Sequence, residues 1–137
     1  MSTSFLKIGH LLALRLVLLT LAWTLQQSDA YPLELESEVT VLIERGHAVA
    51  NSPLSGRREI PLDVQETVLD SAASGINAIV VTSRRLLGFS SRTLTWSKTE
   101  RDLREKVLER RILPTFSLVQ TDKRLYGFRA ANGLWFK

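Results

Sequence analysis

From residue 76 onward the chain alternates short apolar runs with polar breaks. Ala78-Ile-Val-Val-Thr82 is apolar and β-branched, Ser83-Arg84 interrupts it, and Arg85 to Ser90 resumes an apolar run through Gly88 and Phe89. Runs of this length and composition, bounded by polar pairs, read as strands, and two in succession read as a β-hairpin. Thr93-Leu-Thr-Trp96 alternates polar and apolar residues, the period of a further strand. The stretch around Glu66 to Leu69 supplies a fourth strand on one reading. The competing reading is helical. Thr99-Glu-Arg-Asp102 has the layout of a capping box, Glu100/Arg104 and Asp102/Lys106 are favourable i,i+4 pairs, and Pro61 and Gly75 punctuate the segment between them.

The same pattern returns at a fixed offset of 39. Thr82, Arg85, Leu86, Gly88, Phe89 and Trp96 match Thr121, Arg124, Leu125, Gly127, Phe128 and Trp135. Asp63, Glu66, Val68 and Leu69 match Asp102, Glu105, Val107 and Leu108, giving 12 identities over the 36 positions 63–98 against 102–137 without a gap. An eroded copy lies earlier: Val41 aligns with Val80 and Val119, and Arg45 with Arg84 and Lys123. The expected domain is therefore residues 31–137, with repeats at about 37–62, 63–101 and 102–137. A fixed period of this size marks a repeat architecture.

A unit of about 40 residues with four short strands is the period of a propeller blade. The string AIVVTSRRLLGFS followed by Trp96 resembles the blade repeat of pyrroloquinoline-quinone-type propellers and of exported bacterial β-propeller-type repeat proteins. The resemblance covers residues 39 to 137, most strongly 63 to 137. It implies an all-β fold of about three four-stranded, propeller-blade-like repeats, incomplete as a ring, with Trp96 and Trp135 between neighbouring blades. The repeats depart from the family at Thr93-Leu94 and Asn132-Gly133, where the Thr-Gly ahead of the Trp is not kept. No residue carries over as a quinone ligand, and no cofactor is implied. A threefold β-trefoil and an α+β fold of hairpins with short helices are the alternatives.

The first 30 residues have a different character. Lys7 precedes an apolar run from Leu16 to Leu25, and Ser28 and Ala30 place small residues before Tyr31. This is the three-part layout of a secretory signal. The run is shorter than the ~20 residues of a membrane-spanning helix. Residues 1–30 are thus expected to direct export to the periplasm or the outside, or, if uncleaved, to anchor the domain at the inner membrane. The chain has no cysteine, so an exported domain must be held by its core or by association, without disulfides.

Charge divides the remainder. Tyr31 to Ser83 carries 3 basic and 8 acidic residues, whereas Arg84 onward carries 13 basic and 5 acidic. Opposite halves suit head-to-tail contact between copies, so a protein partner or homo-oligomer is expected. The candidate contact residues are Arg84, Arg85, Lys123 and Arg124 at the repeated turns, which would meet an acidic glycan or lipid surface, and Trp96 and Trp135 as sugar-stacking rings or inter-repeat core. Nucleic acid is not an expected partner of an exported chain.

Catalytic chemistry finds little purchase. His47 is the one histidine after the leader, and with no cysteine it cannot make an ordinary zinc site. Glu34, Glu36 and Glu38 alternate on one face of an extended stretch, the pattern of a solvated edge. No Gly-x-Ser-x-Gly elbow or glycine-rich phosphate loop is present. Glu66 and Glu105 recur at equivalent positions, which points to a structural carboxylate in each unit, such as one bonding a turn, and Arg85 and Arg124 are expected to pair with Glu66 and Glu105 or with Asp63 and Asp102. The expected role is a non-catalytic binding or scaffolding module, with a small glycan-binding protein and a subunit of an envelope enzyme as alternatives.

Overall fold

The computed structural model describes residues 38–137, so the leader and Glu34 and Glu36 lie outside the described residues. Eleven strands and no helix are found among those described, arranged in three open antiparallel sheets. The first sheet holds β1 (Thr40–Glu44), β2 (His47–Ser52) and β3 (Gly56–Pro61). The middle sheet holds β4 (Val68–Ser74), β5 (Asn77–Thr82), β6 (Arg85–Ser90) and β7 (Thr95–Glu100). The third holds β8 (Val107–Leu113), β9 (Phe116–Thr121), β10 (Leu125–Arg129) and β11 (Leu134–Phe136). Each sheet is a meander in which every strand pairs with the next. None closes into a barrel, so the trefoil alternative is not formed.

The helical reading of 62–74 and 99–111 is overturned. Of its capping-box and i,i+4 groups, Thr99 and Glu100 belong to β7 and pair with β6, while Asp102 serves a turn, as Glu66 does in the preceding copy. The Glu66 carboxylate accepts the Asp63 N–H, Asp102 Oδ1 accepts the Arg104 N–H, and Lys123 approaches Asp102 to 3.7 Å. Val68–Ser74 and Val107–Leu113 then pair with β5 and β9, each across a register shift at its second residue. The first sheet has three strands. A fourth, 39 residues before β4, would fall at 29–35, outside the described residues.

The middle sheet is buried on both faces. Every residue of β5 and β6 is buried, which is why the run Ala78–Val81 is apolar throughout rather than alternating. Ala78, Val80, Leu87 and Phe89 pack with Ala48, Ala50 and Val41 of the first sheet. Ile79, Val81 and Leu86 pack with Val119, Tyr126 and Phe128 of the third. Each Trp bridges to the sheet before its own: Trp96 Nε1 donates to Arg58 O at 3.1 Å and Trp135 Nε1 to Ser97 O at 3.4 Å. Turns stack in the same order, with Val39 N–H donating to Gly75 O and Ile76 N–H to Pro114 O.

The first sheet departs from the period of 39. Val41 pairs with Ala50, whereas its structural counterpart Ile79 pairs with Gly88, an offset of 38 in both strands. Val41 consequently faces the next sheet, while Val80 and Val119 face the previous one. A one-residue slip exchanges the two faces of a strand, so Val41 does not share the position of Val80. The loop Pro53–Ser55 is one residue shorter than Ser91–Leu94, and this restores the offset of 39 at β3.

Candidate functional site

The repeated basic residues fall at one end of the sheets, where Glu66 and Glu105 draw them inward. Arg85 Nη2 lies 2.8 Å from Glu66 Oε2, with the Arg85 side chain 8% exposed and that of Glu66 fully buried. Thr82 Oγ1 donates to the same carboxylate, and Arg85 Nη2 also donates to Pro61 O. Burial alone would raise the Glu66 pKa. Hydrogen bonds from Arg85, Thr82 and the Asp63 N–H outweigh it and hold the carboxyl below its ordinary range.

The second copy rebuilds this node with different neighbours. Arg124 Nε lies 2.5 Å from Glu105 Oε1, off the N–H axis, as an ion contact. Tyr126 Oη donates to Glu105 Oε2 at 2.8 Å. Buried Arg101 donates to Thr82 O at 2.7 Å and to Glu105 O, tying the middle sheet to the turn before β8. Burial and the hydrogen bond to Glu105 push the Tyr126 hydroxyl up to about 12.

Arg84 reaches Gln65 Oε1 at 3.4 Å, and Lys123 pairs with Asp102. Arg84, Arg85, Lys123 and Arg124 are thus each turned toward a partner in the preceding turn, and they are not assembled into one basic surface. Trp96 and Trp135 are half-buried between sheets, ring to ring with Phe89 and Phe128 at 5.4 and 5.1 Å. Arg110 bridges from the third sheet to Asp70 of the middle one at 2.7 Å. His47 borders an open hollow of about 610 Å³ with Glu44, Arg45, Arg57 and Glu59, where Arg57 is already paired with both carboxylates. Among the described residues no three His, Asp or Glu side chains converge as metal ligands.

The surface with unused capacity was not singled out from the sequence. The outer face of the third sheet presents Leu113, Phe116, Leu118, Leu125, Leu134 and Phe136, of which Leu113 and Leu134 are 54% and 61% exposed. The signal lies in the repeat itself. On the corresponding face of the middle sheet, four of those positions are Ser74, Asn77, Thr95 and Ser97, small or polar residues beneath the third sheet. There Asn77 Nδ2 donates to Ser117 Oγ and Leu113 O. The second copy converts these four to Leu113, Phe116, Leu134 and Phe136.

No family model matches this chain, and neither a curated protein nor a solved structure does.

Proposed function

We propose that the chain is an exported, non-catalytic binding or scaffolding module, built as a run of propeller-type blades and meeting its partner through the outer face of the third sheet. One observation carries the reading. Four positions that are small or polar where one sheet covers another are large and apolar on the face that no described residue covers. Contiguous exposed apolar surface of this kind is a feature of interaction sites. The repeated Glu–Arg pairs support the same view, because they join units rather than converge on a cavity. The blade reading rests on meanders stacked face to face in chain order, each with its Trp on the preceding sheet. Export rests on the leader-like layout of residues 1–30.

The test is photo-crosslinking in producing cells, with p-benzoylphenylalanine at Leu134 or Leu113. A discrete protein adduct from both positions is expected, and none from Lys98. Absence of an adduct from either apolar position overturns the binding role. Mass spectrometry of the recovered protein reports export separately, through a mature chain beginning at Tyr31.

A further inference from the structure

We infer that the outer face of the third sheet is a self-complementary dimerisation surface, closed to a further blade and occupied by the same face of a second copy. The inference rests on the binding-module reading above and specifies the partner.

Inside the molecule, each sheet receives an aromatic ring from the next. The Phe128 ring sits on Gly88, where a Cβ would lie 2.7 Å from ring carbons. Phe89 packs likewise with Ala50, the structural counterpart of Gly88 in the first sheet. The equivalent seat on the third sheet is Gly127, and it is already filled. A Cβ there would meet the ring of Phe136, which continues into a stack on Phe116 at 5.5 Å. A further blade would find no room for its phenylalanine.

Among the described residues, the opposite end of the stack offers no matching surface. On the outer face of the first sheet, Asn51 and Arg57 stand where Phe89 and Trp96 stand in the middle sheet. Head-to-tail growth therefore lacks both the ring and the indole that hold one sheet to another.

Face-to-face packing does match. Sheets pack at about 10 Å with their strands nearly aligned. A two-fold axis along the strands lays β8 over β11 of the second copy and β9 over β10. Leu113 then meets Leu134, and Leu118 meets the Phe136 ring that lies over Gly127. Arg129 comes over Phe116 and Arg111 over Phe136, so the two cations of the face find aromatic rings rather than like charge. A four-stranded face of this length offers roughly 500 Å², less than the ~800 Å² per partner of a standard interface. The dimer is accordingly concentration-dependent.

Sedimentation velocity on the whole chain over a wide micromolar range tests this. A reversible monomer–dimer equilibrium is expected. Leu134→Asp should weaken it by about tenfold or more with an unchanged thermal midpoint, and Leu42→Asp on the first sheet should leave it intact. The double variant Leu113→Cys/Leu134→Cys separates fold from interface. β8 and β11 stand three strand spacings apart, ~14 Å, too far for a disulfide within one chain, so oxidation should give covalent dimers. A chain monomeric at every concentration, an open series of higher oligomers, or oxidation without covalent dimer would each overturn the inference. An in-cell adduct from Leu134 to a different protein, with a monomeric purified chain, would overturn the dimer and leave the binding-module reading standing.

Discussion

The ring of Phe128 rests on the bare backbone of Gly88, with three ring carbons within 2.8 Å of where a Cβ would project. This contact sets how closely the third sheet approaches the middle one. Both residues are fully buried, so neither has room to yield. Gly88→Ala should cost about 1–3 kcal/mol by overpacking and Gly88→Val more, whereas Lys98→Ala at the exposed end of β7 should stay within about 0.5 kcal/mol. Urea denaturation midpoints read the difference, and equal midpoints would remove the contact as a determinant of stacking.

Gly127 provides the contrast. Its overlying ring belongs to Phe136, which is 44% exposed, whereas Phe128 is fully buried. Gly127→Ala should therefore cost less than half of Gly88→Ala in the same assay. A matching cost would mean that Phe136 is held as firmly as Phe128.

The two ion-pair nodes should also respond unequally. Removing Arg85 leaves the fully buried Glu66 carboxylate without its counter-charge, with Thr82 Oγ1 and the Asp63 N–H as its remaining donors, and Arg85→Ala should cost about 3–5 kcal/mol. Arg124 is 44% exposed and water screens its pair. Glu105 retains the Tyr126 hydrogen bond in its absence, so Arg124→Ala should cost about 1 kcal/mol. Replacing both partners, as in Arg85→Met/Glu66→Leu, should recover most of the loss, because the penalty is that of an orphaned charge. Chemical denaturation of the three variants decides it.

Stability should fall at both ends of the pH scale for separate reasons. The Glu66 carboxyl is held below its ordinary value in the folded chain. Its contribution is present above the unfolded value of ~4.3 and is lost as pH falls through the folded one. The Tyr126 hydroxyl is raised to about 12. Its contribution is present below the unfolded value of ~10 and is lost as pH rises from there toward the folded value. Thermal midpoints should hold near neutrality, and Glu66→Gln should flatten the acid limb. Tyr126→Phe should flatten the alkaline limb while lowering the midpoint at neutral pH. Unaltered limbs in both variants would show that other groups control them.

Much of this architecture was legible before any coordinates. The hairpin at Ala78–Ser90 and its repetition at 39 residues follow from residue type at a fixed offset. The inter-sheet place of Trp96 and Trp135 is implied by the blade resemblance, and the repeat matches Arg85 and Arg124 to a repeated carboxylate without deciding between Glu66 and Glu105 and Asp63 and Asp102. The segments before β4 and β8 were ambiguous because Asp, Glu and Pro open a tight turn as readily as a helix. Tertiary pairing with β5 and β9 decides between them, and local propensity does not encode it. The slip in the first sheet escaped because a deleted loop residue changes which face a strand presents without changing its composition. The apolar face of the third sheet escaped for another reason. Attention to what two copies share hides Ser97 becoming Phe136, where the copies were free to differ.

The two central strands of the middle sheet, β5 and β6, have no side that water can wet, and this has a cost during synthesis. Residues through Glu100 are synthesised before β8 to β11, so Ile79, Val81 and Leu86 lack their cover until the last ~37 residues follow, a delay of a few seconds at ~5–20 residues per second. Throughout that delay the nascent chain carries an open apolar ribbon with nothing of its own to cover it. Truncation after Glu100 would therefore not yield a smaller version of the protein; it would yield a fragment prone to clump.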